Sequence, residues 1–428
     1  MAKQKVDAPQ VSQSFRYRPT PGELRRLLNG PGIFVGSGSS TRTVQLQMLD
    51  LSGANLQFAN LTAANLAGTD LERACLSNAN LDGADLREAH LPRVHANNAS
   101  LKQANLTHAV LDDALFSESD LTGVILRAAS LRSINLEGAS LQSAVLEGTD
   151  LTNANLAGTN LTGANLTGAI LTGAILSRAV LARANLAGQD LSARDLSGLD
   201  LTGANLSGTN LTGANLTGAN LSGANLNDAN LIGVSLTNAN LTRANLAGQD
   251  LSARDLSGLD LSGANLTNAN LQGANLTNAN LNGADLRDAN LTSAQFNGVG
   301  FVGTNLAGQN LVGRDLSGLD LTSANLHGAN LQGANLHGAV VERANLHGAN
   351  LAGANLSLAN LSNTILSGTD LTNSDFSFTN LSEANLGSAI FSALTFSTAN
   401  LLNAIVDKAH FGSLNHRGVR YQSGVRHV

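Results

Sequence analysis

The sequence predicts an all-β solenoid, a coil of short straight sides stacked on itself, and three observations carry the prediction. From Leu46 to Phe411 an apolar residue recurs at every fifth position without a slip of register. That makes 74 consecutive five-residue units, with Leu at the centre of 64 of them. Two residues before the centre there is usually a small residue, most often Ala, as at Ala54, Ala59 and Ala64. Two residues after it Gly or another small residue is common, as in Leu161-Thr162-Gly163.

A period of five fits neither the helical 3.6 nor the extended 2.0, so one residue per unit faces inward only if the chain turns by a constant angle at each unit. The glycines suit a tight turn at each corner. A quarter-turn per unit closes a coil in about twenty residues, and stacked coils pair backbone to backbone at ~4.8 Å. Leu and the small residue fill the interior in alternating large and small layers, while Asn, Thr and Ser are expected to face water. Composition agrees. With 11 Phe, 2 Tyr and no Trp an aromatic-centred core is excluded, and at 13% charged residues the chain is no charge-rich disordered polymer.

The recurring units ANLTG, ADLRE and ANLQG resemble those of the pentapeptide-repeat family, and the resemblance covers residues 46–411. It implies a right-handed quadrilateral parallel β-helix with four units per coil. That would make about 18 coils, a rod on the order of 90 Å at the strand spacing above. Each buried Leu would contribute roughly 1.5–3 kcal/mol before chain entropy, so stability is expected to be spread along the repeat.

Both ends of an open solenoid need covering. Residues 1–45 break the pattern and hold four of the five prolines. Thr20-Pro21-Gly22-Glu23 followed by Leu24, Leu27 and Leu28 reads as a capping box opening a short helix near 21–28, ended by Asn29-Gly30-Pro31-Gly32. This segment is expected to lay those leucines, with Phe34, on the first coil as an N-terminal cap. Toward the other end Phe376 and Phe396 share one side, as do Phe391 and Phe411, which suits either a C-terminal cap or a homodimer contact. Residues 412–428 read as a polar tail.

Charge is uneven. Residues 1–45 carry seven basic and two acidic residues and residues 407–428 carry four and one, so the net −6 of the chain leaves −14 on residues 46–406. An acidic body argues against nucleic acid binding along its length. The opening MAKQKVDAPQVSQS is polar, with no apolar run, so the expectation is a cytoplasmic protein without membrane attachment.

A second period runs through the first. AGQDLSARDLSGLDL at 187–201 recurs at 247–261, and AGQNLVGRDLSGLDL stands at 307–321, so the copies are 60 residues apart and fall on the same faces about 14 Å from one another. In each copy the inward small position carries something large: Gln189, Arg194 and Leu199; Gln249, Arg254 and Leu259; Gln309, Arg314 and Leu319. A buried Arg without a partner is costly, so either the coil swells or Arg reaches Asp195, Asp255 and Asp315. Tandem duplication accounts for the period. A regularly spaced interaction site at Gln189, Arg194, Gln249, Arg254, Gln309 and Arg314 is the functional reading of the same feature.

The chain offers no catalytic constellation and implies no cofactor. His327, His337 and His347 look like a metal set, but a quarter-turn per unit puts His337 opposite the other two, so they cannot share an ion. Cys75 occupies an Asn/Asp slot, is expected to be exposed, and has no His beside it in sequence to activate it. Residues 91–100, LPRVHANNAS, hold the one proline of the repeat region, Pro92, and its one Ala centre, Ala96. A void or an inward dent is expected there.

These observations favour a non-catalytic structural or interaction rod that presents flat faces to a protein partner. The resemblance supplies an alternative, because some pentapeptide-repeat proteins are acidic DNA mimics that bind type II topoisomerases such as gyrase and protect them from quinolones. Against it, the acidic residues of this chain are scattered. Asp50, Asp70, Asp150, Asp190, Asp250 and Asp370 share one side, but with gaps of several coils.

Overall fold

The computed structural model describes residues 17–29, 44–392, 398–406 and 426–427. Helix α1 is Pro21–Asn29, and strands β1, Ile405–Val406, and β2, Arg426–His427, pair in parallel. Elsewhere the order is carried by single-residue parallel bridges that join a residue to the one twenty further on, Asn60 to Asn80 and Asn330 to Asn350 among them. Twenty residues are four units, so each turn of the coil has four sides. The chain divides into two compact units, Met1–Ala219 with Asn230–Ser235, and Asn220–Ala229 with Leu236–Val428.

In the first unit the residues Leu61 to Asn65 show why the repeat has its composition. The Leu61 N–H donates to the Asn80 carbonyl of the next coil at 2.7 Å and the Ala63 N–H to Asp82 at 2.8 Å. Ala64 closes the corner by donating to Leu61 at 2.9 Å, and Asn65 donates back to Val44 at 2.8 Å. Only the N–H of Thr62 is left, and Oδ1 of Asn60 takes it at 3.2 Å. All five backbone donors are thereby satisfied, and the last needs an Asn or Asp just before each centre.

The amide group of that Asn is also engaged. In the first unit Nδ2 of Asn185 donates to Oδ1 of Asn165 at 3.2 Å and Asn205 repeats the bond to Asn185 at 3.0 Å. In the second, Asn325 and Asn345 do the same toward Asn305 and Asn325. These side chains are half-buried ladders and not the freely wetted groups expected.

At each corner the residue two after the centre has a positive φ. Glycine fills many corners, but Arg73, Glu88, Leu358 and Phe378 adopt φ of 56°, 59°, 61° and 58°. The inward positions behave as expected. Leu centres are buried throughout both units, and from Ala64 onward so are the Ala two before them. Where Thr replaces that Ala it stays buried by donating to a backbone carbonyl, most often one of the previous coil, as Thr69 does to Leu46 at 2.8 Å and Thr379 to Leu356 at 2.8 Å.

The expected dent at residues 91–100 is not there. Ala96 still donates to Leu115 at 2.8 Å and Phe116 to Asn135 at 2.7 Å, so the coils keep their spacing. One coil beyond Ala96, on the same side, the centre is the fully buried Phe116, which offsets the small residue. Pro92 lacks the one N–H that an Asn would serve, and the residue in that Asn slot is His90. Proline also suits this second position of a turn whose third residue has positive φ.

At the start of the first unit, Glu23 Oε2 accepts from the Thr20 N–H at 2.7 Å while the Glu23 N–H donates to Thr20 Oγ1 at 3.3 Å, a capping box around Pro21. The bonds from Thr20, backbone first, hold the Glu23 carboxyl below its ordinary value. Tyr17 bridges Leu49 in parallel, and Arg18 donates to the Ser52 carbonyl at 2.8 Å. Leu24 and Leu28 of α1 line a cavity of about 510 Å³ with Leu51 and Ala54. Phe34, the helix stop at 30–32, Phe396 and Phe411 lie outside the described residues.

Candidate interaction site

The three large-residue cassettes interrupt this regularity, and the first lies wholly in the first unit. Bridges run unbroken from Asp150 to Ile170 and from Asn155 to Ile175, yet among the described residues the next pairs, Ile170 with Asp190 and Ile175 with Asp195, do not form. Leu166 still donates to Asn185 at 2.9 Å, and Leu181 to Asp200 at 2.8 Å. Between those two bonds the stack is split over two sides.

Gln189 and Arg194 hold the split open and satisfy the carbonyls it exposes. Gln189 Nε2 donates to Leu166 at 2.7 Å, the same reach back that Thr makes elsewhere but across a wider gap. Arg194 Nη1 donates to the Ala174 carbonyl at 2.7 Å and Nη2 to that of Leu171. Charged donors on backbone carbonyls replace ladder bonds, which keeps the opened edge from carrying bare acceptors.

Of the alternatives the sequence left open, the coil opens. Arg194 does not turn to Asp195, whose Oδ1 accepts the Ser197 N–H at 3.1 Å and the Asn215 amide at 3.1 Å. The hydroxyl and then the backbone of Ser197 hold the Asp195 carboxyl below its ordinary value.

The third cassette repeats the arrangement inside the second unit. Among the described residues the bridges Asn290 to Asn310, Gln295 to Asp315 and Gly300 to Asp320 are absent. Gln309 Nε2 donates to Leu286 at 2.5 Å, and Arg314 Nη2 to Ala294. Here the Arg314 guanidinium also lies over the ring of Phe296, 4.4 Å from its centroid, and Phe296 meets Phe301 edge-on at 5.4 Å. Burial pushes the Arg314 guanidinium below its ordinary value. In the middle cassette Gln249 donates to Leu226 at 2.7 Å, and burial likewise pushes Arg254 down.

Thus Gln189, Gln249 and Gln309 are buried at 4%, 6% and 5% exposure. Their side chains lie inside the coil, where they shape the split. What the split exposes comes from the coil before it. Ile170 and Ile175 stand in Asn slots with 45% and 51% of their surface open. Ile175, Leu176, Arg178, Arg194 and Leu199 line a cavity of about 330 Å³. Sequence reasoning looked only at the cassette and missed these residues. The readable signal was two consecutive Ile where Asn is the rule, one coil ahead of Gln189.

The other sequence candidates are placed as follows. Phe376 is fully buried, so it belongs to the core, and Phe391 is half-buried. His327 and His347 stack with centroids 5.4 Å apart, and His337 Nδ1 shares a hydrogen bond with Ser357 at 2.8 Å. Among the described residues no three His, Cys, Asp or Glu side chains are grouped to hold a metal. Cys75 is half-buried, with its thiol near Ser77. Several acids are paired to bases: Asp85 with Arg87, Asp120 with Lys102, Glu147 with Arg127, Asp150 with Arg132, and Asp285 with Arg287. No helix among the described residues is long and apolar enough to cross a membrane.

Comparison with known proteins places this geometry. A search of curated proteins finds no match. Among solved structures the chain is similar to HetL, a pentapeptide repeat protein involved in heterocyst differentiation regulation from the cyanobacterium Nostoc sp. strain PCC 7120. The identity is 31% over 66% of this chain and 95% of that one, with a TM-score of 0.19. It is also similar to a pentapeptide repeat protein from the Arabidopsis thaliana thylakoid lumen, at 26% identity over 29% of this chain and 84% of that one, TM-score 0.21. Full-length QnrB1, a plasmid-mediated fluoroquinolone resistance protein, is 17% identical over 53% of this chain and 84% of that one, TM-score 0.14. The pattern for pentapeptide repeats matches residues 50–87, 99–138, 129–168, 159–193, 195–233, 229–268, 269–299, 300–338 and 342–377, which is more than half of the chain. The chain therefore belongs to the pentapeptide repeat family, whose members fold as right-handed quadrilateral β-helices.

Proposed function

We propose that this chain is a non-catalytic interaction scaffold, cytoplasmic, whose β-helical faces present a protein partner with a docking point at residues 170–199. The observation that carries the reading is the split itself. Regular coils show the solvent Asn ladders with their amide groups already bonded, which gives a partner little to gain. At the split, Ile170 and Ile175 replace Asn and expose apolar surface beside a cavity.

Mimicry of DNA toward gyrase fits less well. A mimic needs rows of unneutralised acid, whereas Asp85, Asp120, Glu147, Asp150 and Asp285 are paired with bases, and Asp195, Asp255 and Asp315 are bonded into Asn ladders. Two measurements test the proposal. Purified protein in large excess should leave gyrase supercoiling unchanged, with or without a quinolone, and inhibition or drug rescue would put mimicry first. A photo-crosslinker at Ile175 should trap one protein species in cells of the source organism. The same crosslinker at Asn325, in an unbroken Asn ladder, should not, and equal trapping at both sites would count against a docking point at the split.

A further inference from the structure

The first and third cassettes, whose splits each lie within a single unit, differ at the seat beside the arginine, and the difference says what the first is shaped to receive. Residues 174–199 correspond to 294–319 at an offset of two 60-residue periods, so Arg194 matches Arg314, Leu199 matches Leu319, and Leu176 matches Phe296. In the second unit the split is occupied from within. The Phe296 ring sits beneath the Arg314 guanidinium at 4.4 Å and packs edge-on to Phe301 at 5.4 Å. In the first unit the corresponding centres are Leu176 and Leu181, neither of which carries a ring. The lining of Leu176, Leu199 and Arg194 there encloses a cavity of about 330 Å³ that opens past the half-exposed Ile175.

We propose that the Arg194 split is a docking site for an aromatic side chain of the partner protein, which takes the place that Phe296 fills in the second unit. The chain provides its own template for the complex: an aromatic face under a guanidinium whose charge is already directed onto a backbone carbonyl. An aromatic ring suits this seat better than an aliphatic chain, because the ring's negative face attracts the cation as well as burying apolar area. Ile175, and Ile170 next to it, form the apolar rim that the flanking residues of the partner segment would cover.

The proposal rests on the interaction-scaffold reading, but its test is separate. Purified full-length chain is dialysed to equilibrium against N-acetylphenylalaninamide, N-acetylleucinamide and indole. Wild-type protein should retain about one equivalent more of the phenylalanine amide than the Leu176→Phe variant, whose own ring fills the cavity. Phe296→Leu should gain about one equivalent by vacating the seat under Arg314. Thermal melts of each variant establish that it is folded, and Leu176→Phe should melt no lower than wild type. Equal retention by wild type and Leu176→Phe overturns the proposal. So does equal retention of the leucine amide, or uptake of indole with the phenylalanine amide excluded, which would describe a closed void open to small molecules alone. None of these failures would alter the gyrase or crosslinking results, which do not depend on a ring fitting the cavity.

Discussion

The side-chain amide of Asn215 donates to Oδ1 of Asp195 one coil back at 3.1 Å, on a carboxylate that already accepts the Ser197 N–H at 3.1 Å. The ladder therefore has a direction. Each Asn gives a hydrogen toward the N-terminal side and receives one from the C-terminal side, so Asp can only begin a ladder. Asp190, Asp195, Asp250, Asp255, Asp260 and Asp315 each accept from an Asn one coil later. Replacing Asn215 with Asp removes the donor and sets two carboxylates face to face. The variant should unfold at lower denaturant concentration than wild type at pH 7, the difference shrinking at about pH 3 as the pair gains a proton. Asp195→Asn keeps the acceptor and should be near neutral.

Acid should act on the same groups. The following serine, hydroxyl first and then backbone, holds the carboxyls of Asp195, Asp250, Asp255 and Asp315 below their ordinary value. A depressed carboxyl stabilises the fold while ionised. Its contribution is complete above the unfolded value of about 4 and is lost as pH falls through the folded one. The melting temperature should thus be flat from about pH 8 to 5 and fall below about pH 4. A fall that began near pH 6 would point to histidine instead.

At Gly213 φ is +67°, and a Cβ built there would meet nothing within 4 Å. Any cost of Gly213→Ala is then conformational. It should be about 1 kcal/mol, with Gly213→Asn cheaper because Asn tolerates this region. The measurement is urea denaturation of both variants. Equal stability of all three proteins would mean that the corner relaxes.

Much of this was legible in the sequence, and the limit is physical. The five-residue period fixes which side chain is inside, and the twenty-residue register follows once each unit is a side of a square. The role of Asn was not legible, because it depends on which backbone N–H the coil leaves over, and only the bonded coil at Leu61 to Asn65 reveals that it is the one at Thr62. Gln189 and Arg194 stood out as oversized, but pattern alone could not say whether the coil would swell or Arg194 would reach out to Asp195. Ile170 and Ile175 lie outside the cassette that the pattern picks out, and it is the missing bridges that place them on the rim of a split.

Ala96 gives a test in which the consensus residue is the wrong one. Leu occupies most centres, yet Ala96→Leu should destabilise by about 1–3 kcal/mol, because the buried Phe116 one coil on already offsets the small residue. The double variant Ala96→Leu, Phe116→Leu restores two ordinary centres and should recover most of the loss. Additive penalties in this double-mutant cycle would show that the two sites do not share space.

The split makes the sharpest prediction about energetics. Arg194→Ala leaves the Ala174 carbonyl without its donor and the Leu171 carbonyl with the Ala174 N–H alone, while Gln189 and Leu199 still hold the coils apart. The expected cost is about 2–4 kcal/mol. Changing Gln189, Arg194 and Leu199 together to Ala restores the small inward residue on all three sides, so nothing props the coils open and the ladder can close. The triple variant should therefore be more stable than the single one, although it removes more buried atoms. Hydrogen exchange locates the effect. The amides of Gly173 and Leu176 should exchange quickly in wild type and become protected in the triple variant, as ladder amides such as Leu161 already are. If the triple variant is the less stable, the split is imposed by something other than these three side chains.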